Sequence, residues 1–107
     1  MPTNPSTPPS GNYSSQGDTD SSWDGTFTYN STTKAISYTR NNAPLGPFSA
    51  TNQDNGNALN FTINDGVEIA HFVGNTFAWK GDKAQYKGKW NVEHREAEDG
   101  WTATQTS

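Results

Sequence analysis

From Trp23 to the end of the chain, apolar and polar residues alternate in short runs punctuated by Gly, Asn, Asp and Pro. A period of two is the mark of half-buried β-strands, and no window competes at the helical period of 3.6. In GTFTYNSTTKAISYT (25–39), Phe27 and Tyr29 share one face and Ile36 and Tyr38 share another. The segment predicts a hairpin with NSTTK as its loop. The two prolines of NNAPLGP bar a regular central strand, and Phe48 and Ala50 then open a short third strand.

Leu59, Phe61 and Ile63 place one face of the next strand, and Asn64, Asp65 and Gly66 turn it into VEIAHFV (67–73). The Asp-Gly pair predicts a type I′ turn, which needs positive φ at both central residues. Gly74 and Asn75 predict another turn, into TFAWK, with Phe77 and Trp79 on one face. Gly81 and Asp82 predict a further turn, into a long strand from Lys83 to about Glu93; the loop EAEDG then leads into WTATQT (101–106). The pattern as a whole predicts an all-β fold, a small antiparallel β-barrel or β-sandwich of seven or eight short strands with mostly meander connections.

Residues 1–22 read differently. They hold four of the six prolines and are otherwise mostly Ser, Thr, Gly, Asn and Asp, a composition that buries too little apolar area to offset ordering entropy. They predict a disordered arm or linker, followed by a single all-β domain over 23–107. Only 29% of the 107 residues are hydrophobic, yet four Trp, four Tyr and five Phe are among them. The core is therefore expected to consist of a few large rings. With no cysteine, neither disulfides nor thiolate zinc sites contribute.

A net charge of −4 argues against nucleic acid or an anionic membrane as the main partner. No apolar run approaches the roughly 18 residues of a membrane span, and the N-terminus lacks the basic start and apolar stretch of a signal peptide. The compartment stays open. Asp18, Asp20 and Asp24 only loosely match a calcium loop, lacking its glycine and its terminal glutamate. His71 shares parity with Val67, Ile69 and Val73 and reads as a hydrogen-bonded interior or rim histidine; His94 sits in the charged stretch HREAEDG. No catalytic residue, metal or cofactor is expected, and an enzyme is not.

WKGDKAQYKGKW (79–90) concentrates lysine in an acidic chain. By parity, Ala84, Tyr86, Gly88, Trp90 and Val92 face inward, while Lys83, Gln85, Lys87, Lys89 and Asn91 face water, where lysines on a strand discourage aggregation. Gly88 marks a bulge, a bend or a close approach. The surplus of rings together with amides points to a non-catalytic binding module for carbohydrate, in which exposed rings stack on a sugar and amides bind its hydroxyls. Trp23 and Trp101, near the ends of the folded region, are the expected solvent-facing platform; Tyr38, Arg40, Asn41, Asn42 and Trp90 complete the expected ligand site.

The alternative is a protein-interaction or assembly subunit whose arm and open edge dock to another chain, with a homo-oligomer among its expected states. A third reading is single-strand nucleic-acid binding along Lys80, Lys83, Lys87 and Lys89, which the net charge disfavours.

Overall fold

The structure, a computed structural model, describes residues 8–54, 58–95 and 98–106. Eight antiparallel strands form one nearly closed barrel: β1 (Gly11–Gly17), β2 (Gly25–Tyr29), β3 (Ala35–Arg40), β4 (Phe48–Thr51), β5 (Leu59–Asn64), β6 (Ile69–Lys80), β7 (Lys83–Val92) and β8 (Asp99–Gln105). The order β4-β3-β2-β1-β8-β7-β6-β5 is an up-and-down meander in which β1 and β8 pair. Where β4 meets β5 the ladder gives way to the buried side chain of Asn52. Its Oδ1 accepts from the Asn60 amide (2.9 Å), and its Nδ2 donates to the Ala58 carbonyl (3.1 Å) and the Tyr29 hydroxyl (3.2 Å). The Gln53 amide adds a bond to the Asn60 carbonyl (2.7 Å).

The expected disorder of the arm does not hold for residues 8–22. β1 lies in the middle of the sheet, paired with β2 over Gly11–Ser15 and with β8 over Tyr13–Gly17. Tyr13 and Ser15 point inward and are buried. Backbone pairing on both sides supplies what the composition lacks, because a strand between two neighbours satisfies its amides and carbonyls whatever its side chains are. The same expectation for residues 1–7 lies outside the described residues.

A second correction concerns Gly74 and Asn75, which do not turn the chain. β6 continues through them because both of its halves pair with β7: Val73 faces Lys89, Gly74 faces Gly88, and Thr76 faces Lys87 after a one-residue register shift. That bulge accounts for the switch of alternation phase between Phe72 and Phe77, since one extra residue returns Phe77 and Trp79 to the inner face. The Asp65–Gly66 turn also departs from expectation. Asn64 pairs with Ile69, leaving a loop of 65–68 in which Gly66 alone among the four has positive φ. The Asp65 carboxylate draws the Val67 and Glu68 amides onto itself at 2.8 and 2.7 Å, which favours an Asx-type loop over a two-residue turn. Gly81, with φ +66°, occupies the first central position of the two-residue β6–β7 turn, where a type II′ turn calls for glycine.

The barrel interior is solid. Tyr13, Trp23, Phe27, Tyr38, Phe61, Phe72, Tyr86, Trp90 and Trp101 fill it with Leu59 and Ile63. The rings lie at stacking and edge distances, such as Tyr13 to Phe27 at 5.0 Å and Phe61 to Trp101 at 5.7 Å. Inward positions of eight strands converge on one axis, so a chain short of aliphatics fills the space with rings. Gly74 is where the Trp101 indole closes on β6: a methyl there would stand 3.0 Å from the indole ring and from the Tyr86 Cβ. At Gly88 a methyl would run into the Val73 carbonyl, so this glycine allows β6 and β7 to approach at the bulge.

Candidate functional site

Burial removes the expected stacking platform. Trp23 and Trp101 are each 1% exposed, Tyr38 0% and Trp90 3%, and Arg40 is 6% exposed. These side chains belong to the core and its cap, and of the expected ligand residues only Asn41 and Asn42 are exposed. The structure does bring Trp23, Tyr38 and Arg40 together. Phase and proximity to a strand end were legible in the sequence; the direction of each ring was not, because position near a chain end says nothing of depth in a barrel whose ends are capped.

The polar atoms of these rings are spent inside the protein. The Trp101 indole N–H donates to Ser15 Oγ (2.8 Å), Ser15 Oγ lies 2.7 Å from the Tyr38 hydroxyl, and that hydroxyl donates to the Trp23 carbonyl. With Tyr38 donating to Trp23, Ser15 donates to Tyr38 and the chain is fully directed. The Arg40 guanidinium lies 4.0 Å over the Trp23 ring and donates to the Asp65 carboxylate and the Ser22 carbonyl. Burial would raise the Asp65 carboxyl, but the Glu68 and Val67 amides and the Arg40 charge hold it below the ordinary carboxylate range.

One rim of the barrel carries the ends of β1, β3, β5 and β7 and the starts of β2, β4, β6 and β8. Eight described acids stand there: Asp18, Asp20, Asp24, Asp65, Glu68, Glu93, Glu98 and Asp99. Two described acids, Asp54 and Asp82, stand at the other rim. The acidic rim is a hydrogen-bonded assembly. Asp99 accepts from the Thr19 and Asp20 amides, the Thr19 hydroxyl and the Trp90 indole. Burial alone would raise this carboxyl; those donors bring it down to about 2. Asp24 accepts the Gly17 amide at 2.8 Å. Burial nevertheless lifts it above the ordinary range, with Asp20 and Asp99 adding to the rise. Arg95 binds Glu68 at 2.6 Å and approaches Asp20 at 3.8 Å. No group of three or more His, Cys, Asp or Glu among the described residues could hold a metal ion.

His71 departs from the interior reading. It sits on the outer face of β6, where Nδ1 lies 2.9 Å from the Thr62 hydroxyl and Nε2 lies 2.9 Å from the Glu93 carboxylate. Its parity partners Ile69 and Val73 are outer-face residues too, and the inner set is Ala70, Phe72 and Gly74. Beside it the bulge shapes a groove of about 280 Å³ lined by His71, Val73, Asn75, Lys89, Asn91, Glu98 and the Gly88 backbone.

The opposite rim belongs to the β6–β7 hairpin. With 12 and 10 residues these are the two longest strands. Lys80 and Lys83 face each other across the ladder next to the turn, and Lys87 lies further along the outer face. Among the described residues none of these three makes an ion pair, whereas Lys89 lies 3.8 Å from Glu98. Phe77 and Trp79 line the inner side, ring against ring at 5.5 Å, and Phe77 rests on Tyr86 at 4.9 Å. The Trp79 indole N–H is buried and has no acceptor among the described residues. This division of charge was not legible in net charge or in strand parity, because it depends on which rim each loop joins. No protein-family model, curated protein or solved structure matches the chain.

Proposed function

We propose that this protein is a non-catalytic binding module that engages the surface of another protein, with the β6–β7 hairpin as its contact element. The observation that carries this is the set of three lysines, Lys80, Lys83 and Lys87, that make no ion pair among the described residues and lie on the longest hairpin of an otherwise acidic chain. Support comes also from the interior, which rings fill, leaving the outside of the barrel as the binding surface. Lysines that lie side by side without counter-charges suit an acidic protein surface, to which they give orientation and fast encounter.

The test is binding to immobilised polyglutamate, measured beside a panel of oligosaccharides and a single-stranded oligonucleotide. Salt-sensitive binding to polyglutamate that Lys80→Glu/Lys83→Glu abolishes is the expected result. Indifference to polyglutamate at low salt would overturn the reading, and preference for the oligonucleotide would move it to nucleic acid.

The groove at the bulge favours a second reading, a carbohydrate ligand. Asn75, Asn91 and Glu98 offer amide and carboxylate groups beside the half-exposed Val73, a mixture suited to sugar hydroxyls and a sugar's apolar face. Binding of any panel glycan that Asn75→Ala or Asn91→Ala weakens would support it. A flat response across the panel would remove it.

A further inference from the structure

We infer that the acidic surface taken by the hairpin is the acidic rim of a second copy of this chain, so that copies associate with the hairpin of one on the opposite rim of the next. The inference rests on the protein-binding reading above and names its partner. Its ground is charge complementarity within a single molecule. The acidic rim offers Asp18, Glu93 and Glu98, all exposed, while the far rim offers Lys80, Lys83 and Lys87.

A second observation on the hairpin points the same way. Lys80 and Lys83 are direct cross-strand partners, an arrangement of like charges that costs stability unless an anion lies between them. Asp82 in the turn makes no ion pair with either. A carboxylate from another molecule would relieve that repulsion. Pairing hairpin to hairpin, or acidic rim to acidic rim, would set like charges together. The contact is therefore heterologous at the level of surface patches, and it either propagates as a chain or closes when two copies lie antiparallel and each hairpin meets the other's rim. A net charge of −4 opposes any association that does not match these patches.

The experiment is sedimentation velocity on the full chain over a concentration series, at about 20 mM and about 500 mM salt, since the higher concentration shrinks the screening length to a few ångströms. At low salt the mass is expected to rise with concentration to twice that of the 11.7 kDa monomer or beyond, and at high salt to fall back to one. Two variants then locate the contact. Lys80→Glu/Lys83→Glu alters the exposed Lys80 and the half-buried Lys83 at one rim, Glu93→Lys/Glu98→Lys alters two exposed side chains at the other, and each alone is expected to stay monomeric under conditions where the parent associates. The equimolar mixture pairs a hairpin made acidic with a rim made basic, each retaining its other surface intact, and is expected to yield 1:1 complexes.

A parent chain monomeric at low salt at every concentration overturns the inference without recourse to any variant, as does association equally strong at both salt concentrations. A hairpin variant that associates like the parent also overturns it. A monomeric parent that still binds polyglutamate through its lysines would sink this inference alone and leave the protein-binding reading standing; loss of both would sink the two together.

Discussion

The four tryptophans show how one residue type takes different roles according to what its N–H can reach. Trp101 donates to Ser15, Trp90 to Asp99 and Trp23 weakly to Glu68 at 3.4 Å, while the buried Trp79 N–H has no acceptor among the described residues. A buried unpaired donor costs about 1–3 kcal/mol, a penalty that phenylalanine does not carry. Trp79→Phe is therefore expected to leave stability within about 1 kcal/mol of the parent or to raise it, lost ring area and removed donor offsetting each other. Trp101→Phe gains nothing of that kind and leaves Ser15 without its donor, with an expected loss of about 1–3 kcal/mol. Urea titrations of the two variants check the contrast; equal losses would contradict it.

The Arg40–Asp65 pair is the other place where single atoms decide stability. Both side chains are buried, and Arg40 Nε has no partner among the described residues. Asp65→Asn would leave a guanidinium buried without its counter-charge, and breaking such a pair costs about 3–5 kcal/mol. Arg40→Met/Asp65→Asn removes the charge with its partner and is expected to recover much of that loss. A double-mutant cycle in denaturant measures the difference. A double variant less stable than the Asp65→Asn chain would show that the pair's worth lies elsewhere.

At the scale of elements, strands with regular apolar alternation were legible and their connections less so. Phe27/Tyr29, Ile36/Tyr38 and Leu59/Phe61/Ile63 all face inward as parity requires. The inward set Ala84, Tyr86, Trp90 and Val92 on β7 is buried as well, with Lys87 and Lys89 exposed outside. What parity could not tell was whether a phase switch at Gly74–Asn75 meant a turn or a bulge, since both place one residue out of step. β7 decided it by pairing with both halves of β6.

β1 was illegible for a related reason: only Tyr13 in it is strongly apolar, and its second inward residue, Ser15, is held by hydrogen bonds to two rings from other strands. Deleting residues 1–17 is accordingly expected to abolish the cooperative fold, because β2 and β8 would each lose a ladder and Tyr13 would leave the core. Loss of near-ultraviolet circular dichroism and of a sharp thermal transition would be seen; a truncated chain that melts like the parent would refute this.

For the whole molecule, two sets of ionisable groups set the pH limits. Asp99, Asp65 and Asp20 have carboxyls held below their ordinary range, Asp99 down to about 2. A depressed carboxyl contributes stability that is present above its unfolded value and lost as pH falls through its folded one, so the acid limb is expected between about pH 4 and 2. Asp24, shifted upward, works against this limb and blunts it. Burial raises the Tyr13, Tyr38 and Tyr86 hydroxyls above their ordinary value. A raised group contributes stability that is complete below its unfolded value, so a decline is expected as pH climbs above about 10. Denaturant midpoints measured across pH should form a plateau between these limbs, with Asp99→Asn weakening the acid one. An acid limb unchanged in that variant would remove Asp99 as its source.

The sequence by itself determined the all-β class, the inward phase of most strands and a core made of rings, because alternation and composition are local properties that each strand carries wherever it lies. Tertiary structure alone decided the closure of the barrel, the inclusion of β1, the burial of Trp23 and Trp101 and the gathering of acids at one rim with lysines at the other. Each of these depends on which strands become neighbours and on which rim a loop joins, and those are contacts between residues far apart in the chain.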